Sequence, residues 1–201
     1  MPDSVKNIFE AEARAVLNIP VTENFHTACN LIHEAVHRNK GKVIASGMGK
    51  AGQIALNIAT TFSSTGTPAV FLHPSDAQHG DLGVIQPNDI LLLISNSGKT
   101  REIIELCNLV KKLGYQLKVI VITGNTDAEL GHLSDVTIST GHPDEVCPLG
   151  LTPTTSTTVM TVIGDALVVL MMQRIGFTAS DYAKRHHGGY LGDKSRNDSR
   201  F

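Results

Sequence analysis

The chain has no tryptophan, and aromatic residues fill only 4% of its 201 positions. So sparse a complement offers few platforms for stacking nucleic-acid bases. Charge of one sign is lacking too: 17 Lys and Arg stand against 19 Asp and Glu, a formal net charge of −2. No basic field therefore draws nucleic acid or an acidic membrane. The three cysteines, Cys29, Cys107 and Cys147, are odd in number and never spaced C-x-x-C. That argues against a disulfide framework and a structural zinc site, and leaves Cys29 and Cys107 as small hydrophobes. The strongest apolar run, residues 166–172, is far short of a membrane span, and no signal-peptide pattern opens the sequence. A cytoplasmic location is the expectation.

With 41% apolar and 18% charged residues, the composition excludes a disordered chain. The length suits one domain with its own core, here expected over 1–192 with a polar tail at 193–201. Runs of Val, Ile and Leu at 43–46, 69–72, 90–95, 118–123 and 136–139 read as strands buried on both faces. Helical patterns lie at 53–63, 101–113 and, shorter, 128–133, where Ile103, Leu106, Val110 and Leu113 form one stripe on the second. Two helices, 4–17 and 23–39, precede the first strand, and a long one at 155–175 follows the last. This alternation predicts an α/β fold, a three-layer α/β/α sandwich around a five-stranded parallel sheet, with ligands at the carboxyl ends of the strands.

Two strand ends carry unusual turns. Gly47-Met48-Gly49-Lys50-Ala51-Gly52 matches G-x-G-x-x-G, yet the second strand ends in Leu72-His73-Pro74 without the acidic residue that holds a dinucleotide ribose. Close helix–strand packing explains those glycines as well. The third strand ends in Ser95-Asn96-Ser97-Gly98-Lys99-Thr100, which gathers hydroxyls, an amide and a glycine at a helix N-terminus. Orphan N–H groups and the helix dipole favour an anion there. The loop lacks the Walker A spacing and suits one phosphate monoester; N-capping by Thr100 accounts for one hydroxyl only.

ISNSGKTREI after a strand, with SGMGKAG before it, resembles the sugar isomerase (SIS) domain family. Three further segments, HPSDAQHGDLG from His73, EVCPLGLTPT from Glu145 and HHGGYLG from His186, narrow the resemblance to its arabinose 5-phosphate isomerases. His187 stands where the last motif commonly has proline. The resemblance implies interconversion of D-ribulose 5-phosphate and D-arabinose 5-phosphate, the latter a precursor of Kdo, the eight-carbon acid of lipopolysaccharide and some capsules. Many relatives carry a CBS pair after the isomerase domain, and the expectation here is a form without it. A hexulose 6-phosphate isomerase and a non-catalytic phosphosugar-sensing module are the competing readings.

Moving a carbonyl between C1 and C2 through a cis-enediol needs a group to open the sugar ring, a base to carry a proton, and donors for the enediolate. The resemblance maps these roles onto Glu102, Glu145, His79 and His186. Glu102 lies in a helix first turn, where the dipole favours negative charge. Imidazoles suit ring opening because they ordinarily titrate near neutrality. Gly49, Lys50, Ser95, Asn96, Ser97 and Thr100 are the expected substrate-binding residues. His26, His33, His37, His132 and His142 read as surface groups, and Thr154 to Thr158 mainly as a helix start. His79, Asp81, His186 and His187 could be assembled into a metal site, but their spacing does not demand it, so no metal and no cofactor are expected. The resemblance implies a dimer or tetramer with active sites at subunit contacts, and a homotetramer in which His186 enters a neighbour's site is the expectation. CMP-Kdo, which joins a phosphate to a sugar acid, is expected as an active-site inhibitor.

Overall fold

The computed structural model describes residues 2–188 together with Tyr190, Gly192, Lys194 and Ser195. Gly189 and Leu191 of the last motif, and the rest of the expected tail at 193–201, lie outside the described residues. The aliphatic runs form β1 (Val43–Gly47), β2 (Ala69–Phe71), β3 (Ile90–Ile94), β4 (Lys118–Thr123) and β5 (Val136–Ser139). They make one parallel sheet in the order β2-β1-β3-β4-β5. Both β1 and β3 are buried along their whole length, as strands covered on two faces require. Alternation then splits the core. Val43, Ala45, Ile90, Leu92 and Ile94 enter one layer, and Ile44, Leu91 and Leu93 enter the other.

Eight helices among the described residues flank the sheet: α1 (Pro2–Leu17), α2 (Asn24–Ile32), α3 (Lys50–Ser64), α4 (Pro74–Ala77), α5 (Arg101–Lys112), α6 (Glu129–Leu133), α7 (Thr155–Ile175) and α8 (Ala179–Arg185). Residues of α1, α2, α3 and α7 pack in the first layer; those of α4, α5 and α6 pack in the second. The three-layer sandwich is thus the one expected, with local differences. The helix expected to 39 ends at Ile32 and continues as a π-helical segment, His33–Arg38, closed by an N–H···O bond from Asn39 back to Glu34. On α5 the buried stripe is Ile103, Leu106, Cys107 and Val110; Leu113 caps the helix and is 40% exposed. The apolar stretch at 166–172 belongs to the 21-residue α7, long and apolar enough by composition to cross a bilayer (mean hydropathy 1.6). One stripe of α7, from Val159 through Ile163 and Leu167 to Met171, is nevertheless buried in the core. The helices α4 and α8 and the 3-10 turn Asp81–Val84 were not expected.

A helix starting at Lys50 rather than 53 changes the meaning of the glycine turn. A Cβ on Gly47 would lie 2.6 Å from the Ala51 carbonyl oxygen, and one on Gly52 would lie 2.6 Å from that of Gly47. Two of the three glycines therefore serve the close approach of β1 and α3. The third, Gly49, takes φ +57° at the N-cap of α3, a conformation that L side chains rarely adopt. From β1 the chain crosses one way to β2 and from β3 the other way to β4, so the loops after the adjacent strands β1 and β3 diverge at a topological switch point. Crevices at such points bind ligands.

Candidate active site

A cleft of about 730 Å³ opens at that switch point, walled by Met48 and Lys50 after β1, by 95–97, Lys99 and Thr100 after β3, by Asn125 and His142, and by Ser156 and Thr157 of α7. The hydroxyl loop is built inward from the sheet. Ser95, only 2% exposed, extends the ladder through its N–H to the Ile122 carbonyl at 3.1 Å. Its hydroxyl pairs with that of Thr100 at 2.7 Å. The N-cap hydroxyl of α5 is thereby turned to Ser95, and no side-chain oxygen caps that helix. The Arg101 and Glu102 N–H groups of the first turn remain available to an anion, beside the exposed Asn96, Ser97 and Lys99. Gly98 makes the loop possible: it sits at φ +65° with its carbonyl accepting from Leu130 N–H at 3.1 Å.

The structure brings Lys50, Ser95, Asn96, Ser97 and Thr100 to one cleft, with Gly49 immediately before Lys50. Glu102 stands half-buried in the first turn of α5, two residues beyond Thr100, and does not line the cleft. His79 is exposed on the turn after α4. Its neighbour Gln78 donates to Glu105 at 3.1 Å, which holds this turn against α5. His186 caps α8, stacked on Tyr182 with ring centroids 3.6 Å apart and its Nδ1 3.0 Å from the Tyr182 carbonyl. Neither histidine lines the cleft of its own chain. Among the described residues no three His, Cys, Asp or Glu side chains converge, so His79, Asp81, His186 and His187 make no ligand set within one chain.

Glu145 is engaged with α7. Its Oε2 accepts from the Thr154 N–H (2.7 Å), the Thr154 hydroxyl (3.0 Å) and the Ser156 N–H (3.3 Å), and its Oε1 accepts from the Ser156 hydroxyl. Partial burial pushes this carboxyl up, but the Ser156 hydroxyl and the Thr154 and Ser156 amides outweigh it and hold the group below the usual glutamate range.

His142, read from the sequence as a surface group, is a cleft residue. It occupies φ +53°, rare for a residue with a Cβ, next to Gly141 at φ +76°. Its position just beyond the carboxyl end of β5 was the available signal. Cys147 has an unusual setting as well. The N–H groups of Thr152 (3.1 Å) and Leu151 (3.3 Å) point at its sulfur, and the Thr152 amide leads the bonds that draw its thiol down to about 7. Burial pushes Cys29 and Cys107 up to about 11. Iodoacetamide at pH 8 is therefore expected to label Cys147 well before the other two; peptide mass mapping that finds equal labelling would contradict this.

Known proteins resemble the chain along the same lines. The family model of the SIS domain matches residues 37–170. Arabinose 5-phosphate isomerase KdsD of Yersinia pestis is 47% identical over 185 residues, which cover 92% of this chain and 55% of that protein. The chain thus spans about half the length of the curated relatives it matches. A crystal structure from Bacteroides fragilis, of a protein assigned as a phosphosugar isomerase involved in capsule formation, superposes with a TM-score of 0.93 at 66% identity, covering 94% of this chain and 99% of that one. Escherichia coli CFT073 c3406, solved in complex with arabinose 5-phosphate, superposes with a TM-score of 0.83 at 35% identity, over 90% and 95% of the two chains.

Proposed function

The chain belongs to the SIS domain family, and on that premise we propose that it interconverts D-ribulose 5-phosphate and D-arabinose 5-phosphate. The observation that carries this reading is the uncapped N-terminus of α5, which shares a single cleft with the hydroxyl loop and Lys50. A phosphate monoester held there by hydroxyls, amides and a point charge leaves the sugar chain to extend toward the first turns of α3 and α7. The relatives named KdsD and the arabinose 5-phosphate complex of a 35% identical protein support this substrate over a hexulose 6-phosphate.

The reaction runs in three proton movements. An imidazole, His79 or His186, takes the anomeric hydroxyl proton while the ring oxygen is protonated, which opens the furanose. A carboxylate then removes the C2 proton to give the cis-enediol and returns it to C1, with the hydroxyl protons exchanged between O1 and O2. Glu102 and Glu145 are the carboxylates considered for that step. We further propose a homotetramer that supplies Kdo synthesis, in which His186 works in a neighbour's cleft. Its seat on α8, outside the cleft of its own chain, supports this arrangement. CMP-Kdo is proposed as a competitive inhibitor at the same site, where Lys50 would meet its carboxylate. The proposed functional unit is a single domain over 1–192.

One assay panel tests the core of it. After chelator treatment the protein is expected to turn over ribulose 5-phosphate faster than hexulose 6-phosphate or sedoheptulose 7-phosphate, and CMP-Kdo is expected to raise the apparent KM. Binding of sugar phosphates with no turnover would favour a sensing module. Preference for the hexulose would favour the other isomerase. The shared-site arrangement has its own test. Mixing His186→Ala and Glu102→Gln subunits should recover part of the activity, and none recovered after verified subunit exchange would refute it.

A further inference from the structure

Three helices present their first turns to the cleft, through Lys50 and Ala51 of α3, Thr100 at the start of α5, and Ser156 and Thr157 of α7. The N-termini of α3 and α5 have no side-chain cap. That of α7 is gripped by two carboxylates from elsewhere in the chain. Glu145 takes four hydrogen bonds from Thr154 and Ser156. Thr155, between them, donates its hydroxyl to Glu12 Oε1 at 3.1 Å while accepting the Val146 N–H at 3.1 Å. Thr155 and Ser156 are each 1% exposed. Three consecutive residues of the turn are thus held, alternately, from the loop before α7 and from α1.

We infer that Glu145 and Glu12 are positioning residues that set the first turn of α7 against the cleft, and that neither is the base. The inference rests on the isomerase reading above. A carboxylate offers about four lone-pair sites; on Glu145 three donors crowd Oε2 and the Ser156 hydroxyl takes one site of Oε1, so the group is committed to α7 through both oxygens. A general base must instead point a lone pair at the proton, at roughly 2.6–3.2 Å from the donor atom. Donors aimed at the ionised form also weaken it as a base. Glu102 is in the opposite condition: among the described residues its carboxylate accepts no hydrogen bond, and it stands two residues from the phosphate-loop hydroxyl of Thr100. Between the two carboxylates this leaves Glu102 for the C1–C2 proton transfer, although it too stands outside the cleft wall of its own chain. Glu145 acts through Thr154 and Ser156, and Glu12 through Thr155.

Kinetics of Glu145→Gln, Glu12→Gln, Ser156→Ala and Glu102→Gln separate the roles. Glu145→Gln is expected to keep kcat within about tenfold of the parent, to raise KM, and to retain both the acid limb of the kcat–pH profile and solvent-deuterium incorporation at C2. Glu12→Gln should raise KM in the same way, and the effects of Glu145→Gln and Ser156→Ala should be non-additive. A loss of about a thousandfold in Glu145→Gln, with unchanged KM and with the acid limb gone, would overturn the inference. Amide exchange gives a readout free of turnover: Glu145→Ala should speed exchange at Thr154 and Ser156 by roughly tenfold, the effect of losing a helix cap. Unchanged exchange there would overturn the positioning role. If the parent protein turns over none of the panel, the isomerase reading has failed, and the exchange result alone decides the grip on α7.

Discussion

Glu102→Gln is expected to lower kcat by at least about a thousandfold, the upper half of the range for removing a general base. The folded protein should hardly notice the change. Glutamine has the same shape, the half-buried Glu102 carboxylate accepts no hydrogen bond that would be lost among the described residues, and only its favourable meeting with the α5 dipole disappears. That meeting is worth about 0.3–1 kcal/mol. A melting temperature within about 4 °C of the parent, together with unchanged affinity for sugar phosphate, would show that chemistry alone was removed. Substantial residual turnover with solvent exchange at C2 would move the base elsewhere.

The second large effect concerns the loop and not the chemistry. In Gly98→Val two penalties add. The site holds φ +65°, which costs an L residue roughly 1–2 kcal/mol, and more when it is β-branched. A Cβ would also lie 2.6 Å from the Ala128 Cβ and 2.9 Å from the Asn125 carbonyl oxygen. Ala128 is buried at the N-cap of α6 and has nowhere to go. Overpacking of this kind costs about 1–3 kcal/mol, so the melting temperature should fall by roughly 5–15 °C. The KM for sugar phosphate should rise as well, because the Ser97 and Lys99 positions hang on this turn. An unaltered melting curve would mean that the loop tolerates a different path.

The sheet was legible because its central strand is a pure aliphatic run and the strands beside it are rich in Val and Ile. In β3, all five residues are Ile or Leu, a pattern that only two-sided burial explains. The short elements were not. Proline at the first position of α4 and the polar residues around it read as a turn, and four residues carry no period. For α8 the sequence does carry a local signal: Thr178 and Asp181 form a capping box, the S/T-x-x-D/E spacing that opens a helix. Gly52 hid the true start of α3, since a glycine counts against a helix unless one knows that a strand carbonyl presses on it. In the site, the hydroxyl loop could be read because its chemistry is local. The grip on Glu145 could not. Its donors lie nine and eleven residues along the chain, across an irregular loop, and no periodicity links them.

The strand order also fixes a calendar for synthesis. As the chain leaves the ribosome, β1 and β2 can pair first; β3 must then return past β1 to its far side, and β4 and β5 extend the sheet outward one strand at a time. The cleft gathers residues from opposite ends of this schedule, with Lys50 near its beginning and Ser156 and Thr157 near its close. A nascent chain lacking the first turn of α7 has no complete pocket to offer, so sugar phosphate cannot guide the early steps of folding. Its stabilising influence, which is binding to the finished fold alone, arrives only after the last strand is in place.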